Sequence, residues 1–413
     1  MKLLVIGASE ENYVCFYHEA FRRGLVRLYN TKLYGKGYPG FNPQLQTYSQ
    51  ILSYLYPDGS RPDLILVGYD LAASFAQLKF EYDGLEEIHC PKAILLSDWW
   101  KITENYQDAF PGWLQKYGIN YLLAQHIRPL REFTHTPVAE RFVHFPVCVD
   151  PEQCNDWQLP KRYDVGFLGC GISPFHPFYP EREAIHKALR GRADLNYLWK
   201  PHPGYGHRDN NHPLTGKNYS QLINQCKLFI ATGSRLQNTF GKYFEVPASG
   251  SLMLATHADG AVEQGLIDGV NYVKITPENV LEKVDYYLAH PAQAARIAAA
   301  GYRWAMSRHS IYARAQVFLS WPARPPGRPW RRRISPMITN ADALRISRPP
   351  PNRSSPSHPT RPMNPTPTTC AASATASWAR WRQRKLRSRP SWPVIRITPK
   401  TPTTFYPLPP KRK

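Results

Sequence analysis

The chain has 413 residues, enough for two domains of ordinary size, and its formal net charge is +21. A charge of this size is typical of nucleic-acid binders, but residues 321–413 hold 20 of the 52 Lys and Arg and one of the 31 Asp and Glu. Residues 1–320 are therefore nearly neutral and give no reason to predict a nucleic-acid interface.

Cysteine spacing argues against a disulfide or zinc framework, and hydropathy argues against a membrane-spanning or secreted protein. The seven cysteines form no C-x-x-C pair and no tight cluster, so we expect reduced thiols rather than a disulfide framework or a zinc site. No apolar run is long enough to cross a bilayer, and the opening MKLLVIG is too short for the apolar core of a signal peptide. We therefore expect a soluble, cytoplasmic protein.

Apolar runs alternate with helical patterns through residues 1–146. Continuous apolar runs are typical of parallel strands that are covered on both faces. The runs predicted to be strands are 2–7, 62–70, 91–100 and 120–126. A helix is predicted after the first of them, and it is expected to end at Gly24 because Gly is favoured just beyond a helix. Residues 1–146 are thus predicted to form a Rossmann-like βα domain.

Residues 147–162 are marked by Pro, Asn and Asp and are predicted to link two domains. The βα pattern then restarts over 163–320. Its predicted strands are YDVGFLGCG, LNYLWKPHPG, LFIATGS and SLMLAT. Its predicted helices are YPEREAIHKALRG, YSQLINQCK, KYFEVPASG, PENVLEKVDYYLAHP and AQAARIAAAGYRWAMSRHSIYARAQVFL. The sequence leaves open whether the helix after Pro291 returns to the first domain.

Residues 321–413 lack hydrophobic periodicity and hold 20 of the 40 prolines and one glycine. One interpretation is a disordered, Pro- and Arg-rich tail, since such a composition buries too little apolar surface to fold. The other is out-of-frame translation, because acidic residues and glycines nearly vanish together at residue 321. We favour the second interpretation.

Two facing βα domains bind ligands in the cleft between the carboxyl ends of their strands. In the second domain the loops at this cleft are 169–173, 200–205, 232–235 and 255–265. Glu245, near the start of a cleft helix, can accept two hydrogen bonds from a ribose diol, and Lys242 suits a diphosphate. Gly250 and Gly260 allow close approach of the backbone to a ligand. This combination fits a nucleotide-diphosphate sugar.

The same residues carry a family resemblance. The matching pieces are YDVGFLG, YPEREAI, KYFEVPASGSLMLAT, DGAVEQGLIDGVNYV and YYLAHPAQAARIAAAGYRWAMSRHSIYARAQ. In their content and order they resemble GT-B glycosyltransferases of the group 1-like, spore-maturation-protein (CgeB-like) family. The resemblance implies a GT-B pair of Rossmann-like domains, with the acceptor side in 1–146 and the nucleotide-sugar donor in 163–320.

The resemblance also implies roles for two acidic residues. Members of the wider retaining group carry a Glu-x7-Glu arrangement that serves the donor. Glu245 matches its second position, which supports the ribose, whereas the first position is Gln237 here. Glu263 matches the acidic position after the family's Gly-rich donor loop. The departure at Gln237 leaves open whether the transfer retains or inverts configuration.

Candidate site residues follow from these patterns. Asp98, at the end of a predicted strand, is a candidate base for the acceptor proton or a helix N-cap. His202 either contacts phosphate or sugar or is a turn residue. The catalytic candidates are Asp98, Lys242 and His202. The donor-binding candidates are Glu245, Lys200, Gly169, Gly171, Ser234, Gly250, Ser251, Asp259, Gly260 and Glu263.

The sequence shows no Asp-x-Asp pair to hold Mg²⁺ on a diphosphate, so we expect a metal-independent enzyme without a cofactor. The predicted reaction moves a sugar from a nucleotide-diphosphate donor to a glycan, lipid or protein acceptor. One alternative is a catalytically inactive GT-B-like binding or scaffold protein, favoured by Gln237 and the lack of a clear base. Another is an anion-binding module that acts through the basic tail.

Overall fold

The computed structural model describes residues 1–9, 17–67, 80–96, 110–133, 135–169, 179–201, 212–233 and 237–319. The strands in these residues are β1 Lys2–Ile6, β2 Asn30–Tyr34, β3 Leu64–Val67, β4 Lys92–Leu96, β5 Tyr121–Ala124, β6 Phe142–His144, β7 Tyr163–Gly169, β8 Tyr197–Pro201, β9 Cys226–Ala231, β10 Leu252–Ala255 and β11 Val273–Lys274. The α-helices are α1 Tyr17–Leu28, α2 Tyr48–Leu55, α3 Phe110–Lys116, α4 Arg128–Glu132, α5 Pro180–Arg190, α6 Gly216–Asn224, α7 Lys242–Ala248, α8 Val280–Ala289, α9 Pro291–His309 and α10 Ile311–Leu319.

The strands form two parallel sheets, as the sequence predicts. The first sheet has the order β2-β1-β3-β4-β5-β6, and the second has the order β11-β10-β9-β7-β8. Each sheet is buried on both faces. In β1, Leu4 and Ile6 pack on one face with α2, whereas Leu3 and Val5 pack on the other with α1 and α10. Burial of both faces explains why these strands are continuous apolar runs rather than alternating ones.

The linker between the sheets pairs with the segment that returns to the first domain. The N–H of Val149 donates to the carbonyl of His309 at 2.8 Å, and the N–H of Ile311 donates to the carbonyl of Val149 at 2.9 Å. Ser310 between them is extended, with φ −67° and ψ 155°. The predicted last helix is therefore broken at Ser310 into α9 and α10. Helix α10 packs on α1, so the last described helix of the chain belongs to the first domain.

The prediction for α1 also needs correction. The helix runs through Gly24 to Leu28. A Cβ built on Gly24 would lie 2.9 Å from the Cβ of Ile311 in α10. Glycine at this position therefore serves the close approach of two helices rather than the end of one.

Two strands of the first sheet were not predicted. β2, with the sequence NTKLY, is an edge strand in which only Tyr34 is buried. β6 has three residues and forms the other edge. β2 carries little apolar sequence, and β6 is too short to form an apolar run like those used to predict the other strands. Among the described residues, no helix is long and apolar enough to cross a membrane.

Candidate active site

Two cations converge on the carboxyl end of β7. A Cβ built on Gly169 would lie 3.2 Å from Nη1 of Arg182 and 3.3 Å from Nζ of Lys242. Arg182 comes from the first turn of α5 and Lys242 from the first residue of α7. Because Gly169 has no side chain, both charged groups reach the end of the strand, where their positive charges favour an anion.

Arg182 is the residue of this site that the sequence analysis missed. Its side chain is only 6% exposed. Nε donates to the hydroxyl of Thr232 at 3.0 Å, and the guanidinium lies 3.9 Å from the centroid of the Tyr179 ring. No carboxylate among the described residues pairs with it. A buried charge without a counter-ion is costly, so Arg182 is a strong candidate for binding an anionic ligand.

Glu245 lies one turn into α7, on the same helix as Lys242. Burial raises the pKa of Glu245 to about 7, and the charge of Lys242 partly opposes this shift. The carboxylate lies against Gly241, since a Cβ built there would be 3.3 Å from the carboxylate oxygens. Within the described residues this carboxylate makes no hydrogen bond. Its oxygens are therefore available to accept hydrogen bonds from a ligand.

Lys200 lies near the carboxyl end of β8 with an exposed side chain, and β8 pairs with β7 so that Lys200 is opposite Leu168. Lys200 therefore reaches the same edge of the sheet as Gly169. Four other predicted residues lie outside the described part of the chain. These are Asp98, Gly171, His202 and Ser234.

Asp259, Gly260 and Glu263 lie on the loop after β10, where this loop contacts the first domain. Arg131 of α4 pairs with both carboxylates, at 3.5 Å from Nη1 to Oδ1 of Asp259 and 2.8 Å from Nη2 to Oε1 of Glu263. Gly260 has φ +82°, and a Cβ there would lie 3.2 Å from the side chain of Ile127. In this structure these residues join the two domains at the cleft, and their contact with a donor stays a prediction.

Gly250 and Ser251 need a correction, because they lie at the amino end of β10, opposite the cleft. Gly250 has φ +72°, and a Cβ there would lie 2.7 Å from Cγ of Asp156 in the linker. The hydroxyl of Ser251 donates to the carbonyls of Ile223 and Cys226 at 2.6 and 2.8 Å. Both residues have structural partners at the far end of the sheet, so we remove them from the candidate site.

The first domain contributes two histidines from the carboxyl ends of β5 and β6. The ring of His126 packs edge-on against the ring of Phe240, with 5.7 Å between centroids. Nε2 of His144 lies 3.3 Å from Nε2 of Gln264. Burial lowers the pKa of His144 to about 3, helped by the charges of nearby Arg314, His126 and Arg131. His144 is therefore neutral at physiological pH.

Gln237, which stands where the resemblance implies an acidic residue, has an exposed side chain and φ +52°. Its carbonyl accepts the N–H of Asp259 at 2.5 Å. Through this backbone hydrogen bond, Gln237 joins the segment that leads into α7 to the loop after β10. Among the described residues, no group of three or more His, Cys, Asp or Glu side chains could hold a metal ion.

Comparisons with known proteins agree with this architecture. Residues 181–320 match a family model described as "Glycosyl transferase-like". The structure is similar to that of Alr3699/HepE from Anabaena in complex with UDP-glucose, with a TM-score of 0.52 and 14% identity over 78% of this chain and 98% of that chain. The same protein in complex with UDP and glucose gives a TM-score of 0.51 and 13% identity over 78% and 98% of the two chains.

A search among curated proteins gives no match. Three observations agree with one another. They are the strand orders of the two sheets, the return of the chain to the first domain after Ser310, and the structural similarity to HepE. The chain has the GT-B fold, and its residues 181–320 match the glycosyl transferase-like family model.

Proposed function

We propose that this protein transfers a sugar from a nucleotide-diphosphate sugar to an acceptor, and that the donor binds to the second domain. One observation carries the proposal. Arg182 is buried without a carboxylate partner among the described residues, and it meets Lys242 at the carboxyl end of β7. A diphosphate carries negative charges that would pair with both cations.

The neighbouring groups suit the rest of a nucleotide. Glu245 lies on the same helix as Lys242, and its carboxylate makes no hydrogen bond within the described residues. In the proposed complex it accepts hydrogen bonds from the two ribose hydroxyls. Lys200, at the end of the adjacent strand, adds positive charge at the same edge of the sheet. The complex with UDP-glucose formed by HepE, which has the same fold, is consistent with such a donor.

The proposed reaction is a displacement at the anomeric carbon. An acceptor hydroxyl forms the new bond to that carbon while the bond to the diphosphate oxygen breaks. The nucleoside diphosphate departs with the electron pair, and Arg182 and Lys242 stabilise its negative charge. The proton of the acceptor goes to a base, for which Asp98 stays our candidate. His202 stays a candidate contact of the phosphate or sugar.

Several finer points are proposals of the same kind. We keep the CgeB-like branch as the family assignment, and we propose a reaction without a metal or a cofactor in a cytoplasmic protein. The acceptor is a glycan, a lipid or a protein. No observation on the described residues favours the catalytically inactive alternative.

The test is thermal unfolding of the full chain with UDP, GDP, dTDP, ADP and CMP. A nucleotide present at about 100 times its Kd stabilises the folded state by about 3 kcal/mol, which gives a clear rise in melting temperature. We expect a rise with one of the nucleoside diphosphates and its loss in Arg182→Met. If none of the five nucleotides raises the melting temperature of the folded protein, the proposed function is wrong.

A further inference from the structure

Three polar side chains of the first domain form a buried group beneath the loops that follow β1 and β2. Glu19 and Arg22 lie one turn apart on α1 and are 4% and 2% exposed. Nη1 of Arg22 lies 3.4 Å from Oε2 of Glu19 and 3.2 Å from the hydroxyl of Tyr38, which comes from the loop after β2. The hydroxyl of Tyr38 donates to Oε2 of Glu19 at 2.6 Å, and burial raises the pKa of Tyr38, so this proton stays in place. We call these three residues the α1 triad.

The α1 triad holds the backbone at the carboxyl end of β1. Nη1 of Arg22 donates to the carbonyl of Ala8 at 2.5 Å. The next residue, Ser9, donates its N–H to the carbonyl of Lys36 at 2.8 Å. Gly37 has φ +91°, and a Cβ there would lie 2.9 Å from Cβ of Ser9, so the two loops are in close contact. Arg22 therefore anchors the loops after β1 and β2 together.

The strand order places the anchored loop at the ligand crevice of the first domain. In the order β2-β1-β3-β4-β5-β6, the chain leaves β1 toward β2 on one side and leaves β3 toward β4 on the other. Ligands of open parallel sheets bind at the carboxyl ends of the two strands where the direction changes. The second sheet has its change of direction between β7 and β9, and Arg182 lies there. Residues 7–9 hold the corresponding place in the first domain.

Each domain thus brings a buried arginine to its crevice from the helix after its first strand, but the two arginines differ in their partners. Arg182 has no carboxylate partner among the described residues, whereas Arg22 pairs with Glu19 and donates to a backbone carbonyl. The charge of Arg22 is therefore balanced within the protein. A buried ion pair often adds no more stability than apolar side chains of the same size, so its main contribution here is the position of the loop.

We propose that Arg22, held by Glu19 and Tyr38, is a positioning residue for the acceptor: it fixes the loop after β1, which lines the crevice where the acceptor binds. The inference rests on the proposed function and adds a residue on the acceptor side. A displacement of about 1 Å caused by a distant substitution can slow a reaction about 100-fold. Loss of the anchor should slow transfer and leave nucleotide binding intact, because the nucleotide binds to the second domain.

The experiment compares turnover and nucleotide binding in the full chain with Arg22→Met. Turnover is the release of nucleoside diphosphate from UDP-glucose, dTDP-glucose, GDP-mannose or ADP-glucose, with water and with methyl hexosides as probe acceptors. We expect kcat to fall about 10–100-fold, while the donor KM and the Kd of the free nucleotide stay within about twofold of the wild type. A purely structural role would instead lower the melting temperature and the fraction of protein that binds nucleotide, without this split between kcat and KM.

Arg141→Met is the matched control. Nη1 of Arg141 donates to the carbonyl of Ile119 at 2.8 Å, so it also anchors a loop of the first domain. Because Arg141 precedes β6 and Ile119 precedes β5, this anchor lies at the amino end of the sheet. Its loss should leave kcat and nucleotide affinity within about twofold of the wild type.

Tyr38→Phe tests the same anchor with a smaller change, and it serves if Arg22→Met does not fold. Removal of the hydroxyl that contacts both Glu19 and Arg22 should lower kcat about 3–10-fold with unchanged nucleotide affinity. In the Arg22→Met background it should have no further effect, because Tyr38 acts through Arg22.

Four results would overturn the inference. They are a wild-type kcat in folded Arg22→Met and Tyr38→Phe, an equal fall in Arg141→Met, a parallel loss of nucleotide affinity, and a wild-type protein that binds nucleotide but turns over none of the donors. The third result would assign the loop to the donor. If no nucleotide binds to the wild-type protein, the proposed function itself fails, and this inference falls with it.

Discussion

Both ends of the second sheet hold buried or partly buried polar side chains, but the partners of these side chains differ between the two ends. At the amino end, Asn224 is 0% exposed and makes three hydrogen bonds. It accepts from the N–H of Leu159 at 3.0 Å and donates to Oδ1 of Asp156 at 2.9 Å and to the carbonyl of Ser249 at 2.8 Å. At the carboxyl end, Arg182 and Glu245 lack an opposite charge and a hydrogen bond, respectively, among the described residues.

This difference separates structural polar groups from ligand-binding ones. A buried side chain with every partner in place stabilises the fold, and its removal leaves the partners unpaired. A buried side chain without partners costs free energy in the unliganded protein and regains it when a ligand binds. Substitutions at the two ends should therefore have opposite effects on stability and on nucleotide affinity.

Arg182→Met should have the largest effect of all on binding. The change removes the charge but keeps much of the apolar length, so we expect nucleotide affinity to fall about 100-fold. The free energy of unfolding should change by less than about 1 kcal/mol, because the lost hydrogen bond to Thr232 is offset by removal of a buried charge that has no carboxylate partner among the described residues. Calorimetric titration and denaturant unfolding measure the two quantities.

The control for Arg182 is Arg192→Met. Arg192 follows α5 and pairs with Asp194 and Asp285 at the end of the sheet away from the cleft. Its removal should leave nucleotide affinity unchanged. If Arg182→Met binds nucleotide like the wild type, the anion site at the end of β7 is not a phosphate site.

Asn224→Ala should show the reverse pattern. Its removal leaves the N–H of Leu159 and the carbonyl of Ser249 without their side-chain partner, so we expect a loss of about 2–3 kcal/mol in the free energy of unfolding. Nucleotide affinity should stay within about twofold, since the residue lies at the opposite end of the sheet. Asn218→Ala on the same helix, which loses one bond of 3.4 Å, should cost less than about 1 kcal/mol. If the two variants were equally stable, the structural role assigned to Asn224 would be wrong.

Glu245→Gln should change the pH dependence of both stability and binding. The folded-state pKa of Glu245 is raised from 4.5 to about 7, so the folded protein holds the proton more tightly than the unfolded chain. Stability from this group is fully present below about pH 4.5 and is lost as pH rises to about 7, by up to about 3 kcal/mol. The variant should lack this slope in denaturant unfolding measured from pH 4.5 to 8.

Binding should depend on pH in the opposite sense. Ribose hydroxyls donate more strongly to a carboxylate than to a neutral group, so wild-type affinity for nucleotide should rise as pH increases through about 7. Glu245→Gln should bind with a flat profile and about tenfold more weakly at pH 8. Glu282→Gln, an exposed carboxylate on α8, is the control and should keep the wild-type profile. If the wild-type affinity did not vary with pH, the proposed contact between Glu245 and the ribose would be wrong.

Much of the fold was predictable because its central strands are buried on both faces. β3, β4, β9 and β10 appear as continuous apolar runs, and the loops after them mark the cleft. The edge strands β2 and β6 have no such signal. The break at Ser310 was also hidden, because it depends on pairing with Val149, which is distant in the sequence.

The site was harder to predict than the fold, and Arg182 shows why. In EREAI it resembles one of the surface charges of an amphipathic helix, and only the position of α5 beside Gly169 and Thr232 buries it. Gly250 and Ser251 were misplaced for a related reason. The sequence shows that a turn separates α7 from β10, but the end of the sheet on which a turn lies follows from the parallel pairing with β9.

Arg131→Gln should have the smallest effect and would show how the domains are held together. Arg131 is 53% exposed, so loss of its pairs with Asp259 and Glu263 should cost about 0.2–1 kcal/mol and less at high salt. Because the pairs join the domains across the cleft, we expect nucleotide affinity to fall a few-fold through a smaller population of the closed arrangement. Arg128→Gln on the same helix, whose partner Glu132 lies in the first domain, should leave affinity unchanged. A double-mutant cycle with Glu263→Gln then separates two roles of Glu263. If Glu263 acts only through Arg131, Glu263→Gln should have no further effect on affinity in the Arg131→Gln background. If Glu263 contacts the donor directly, Glu263→Gln should weaken binding again in that background.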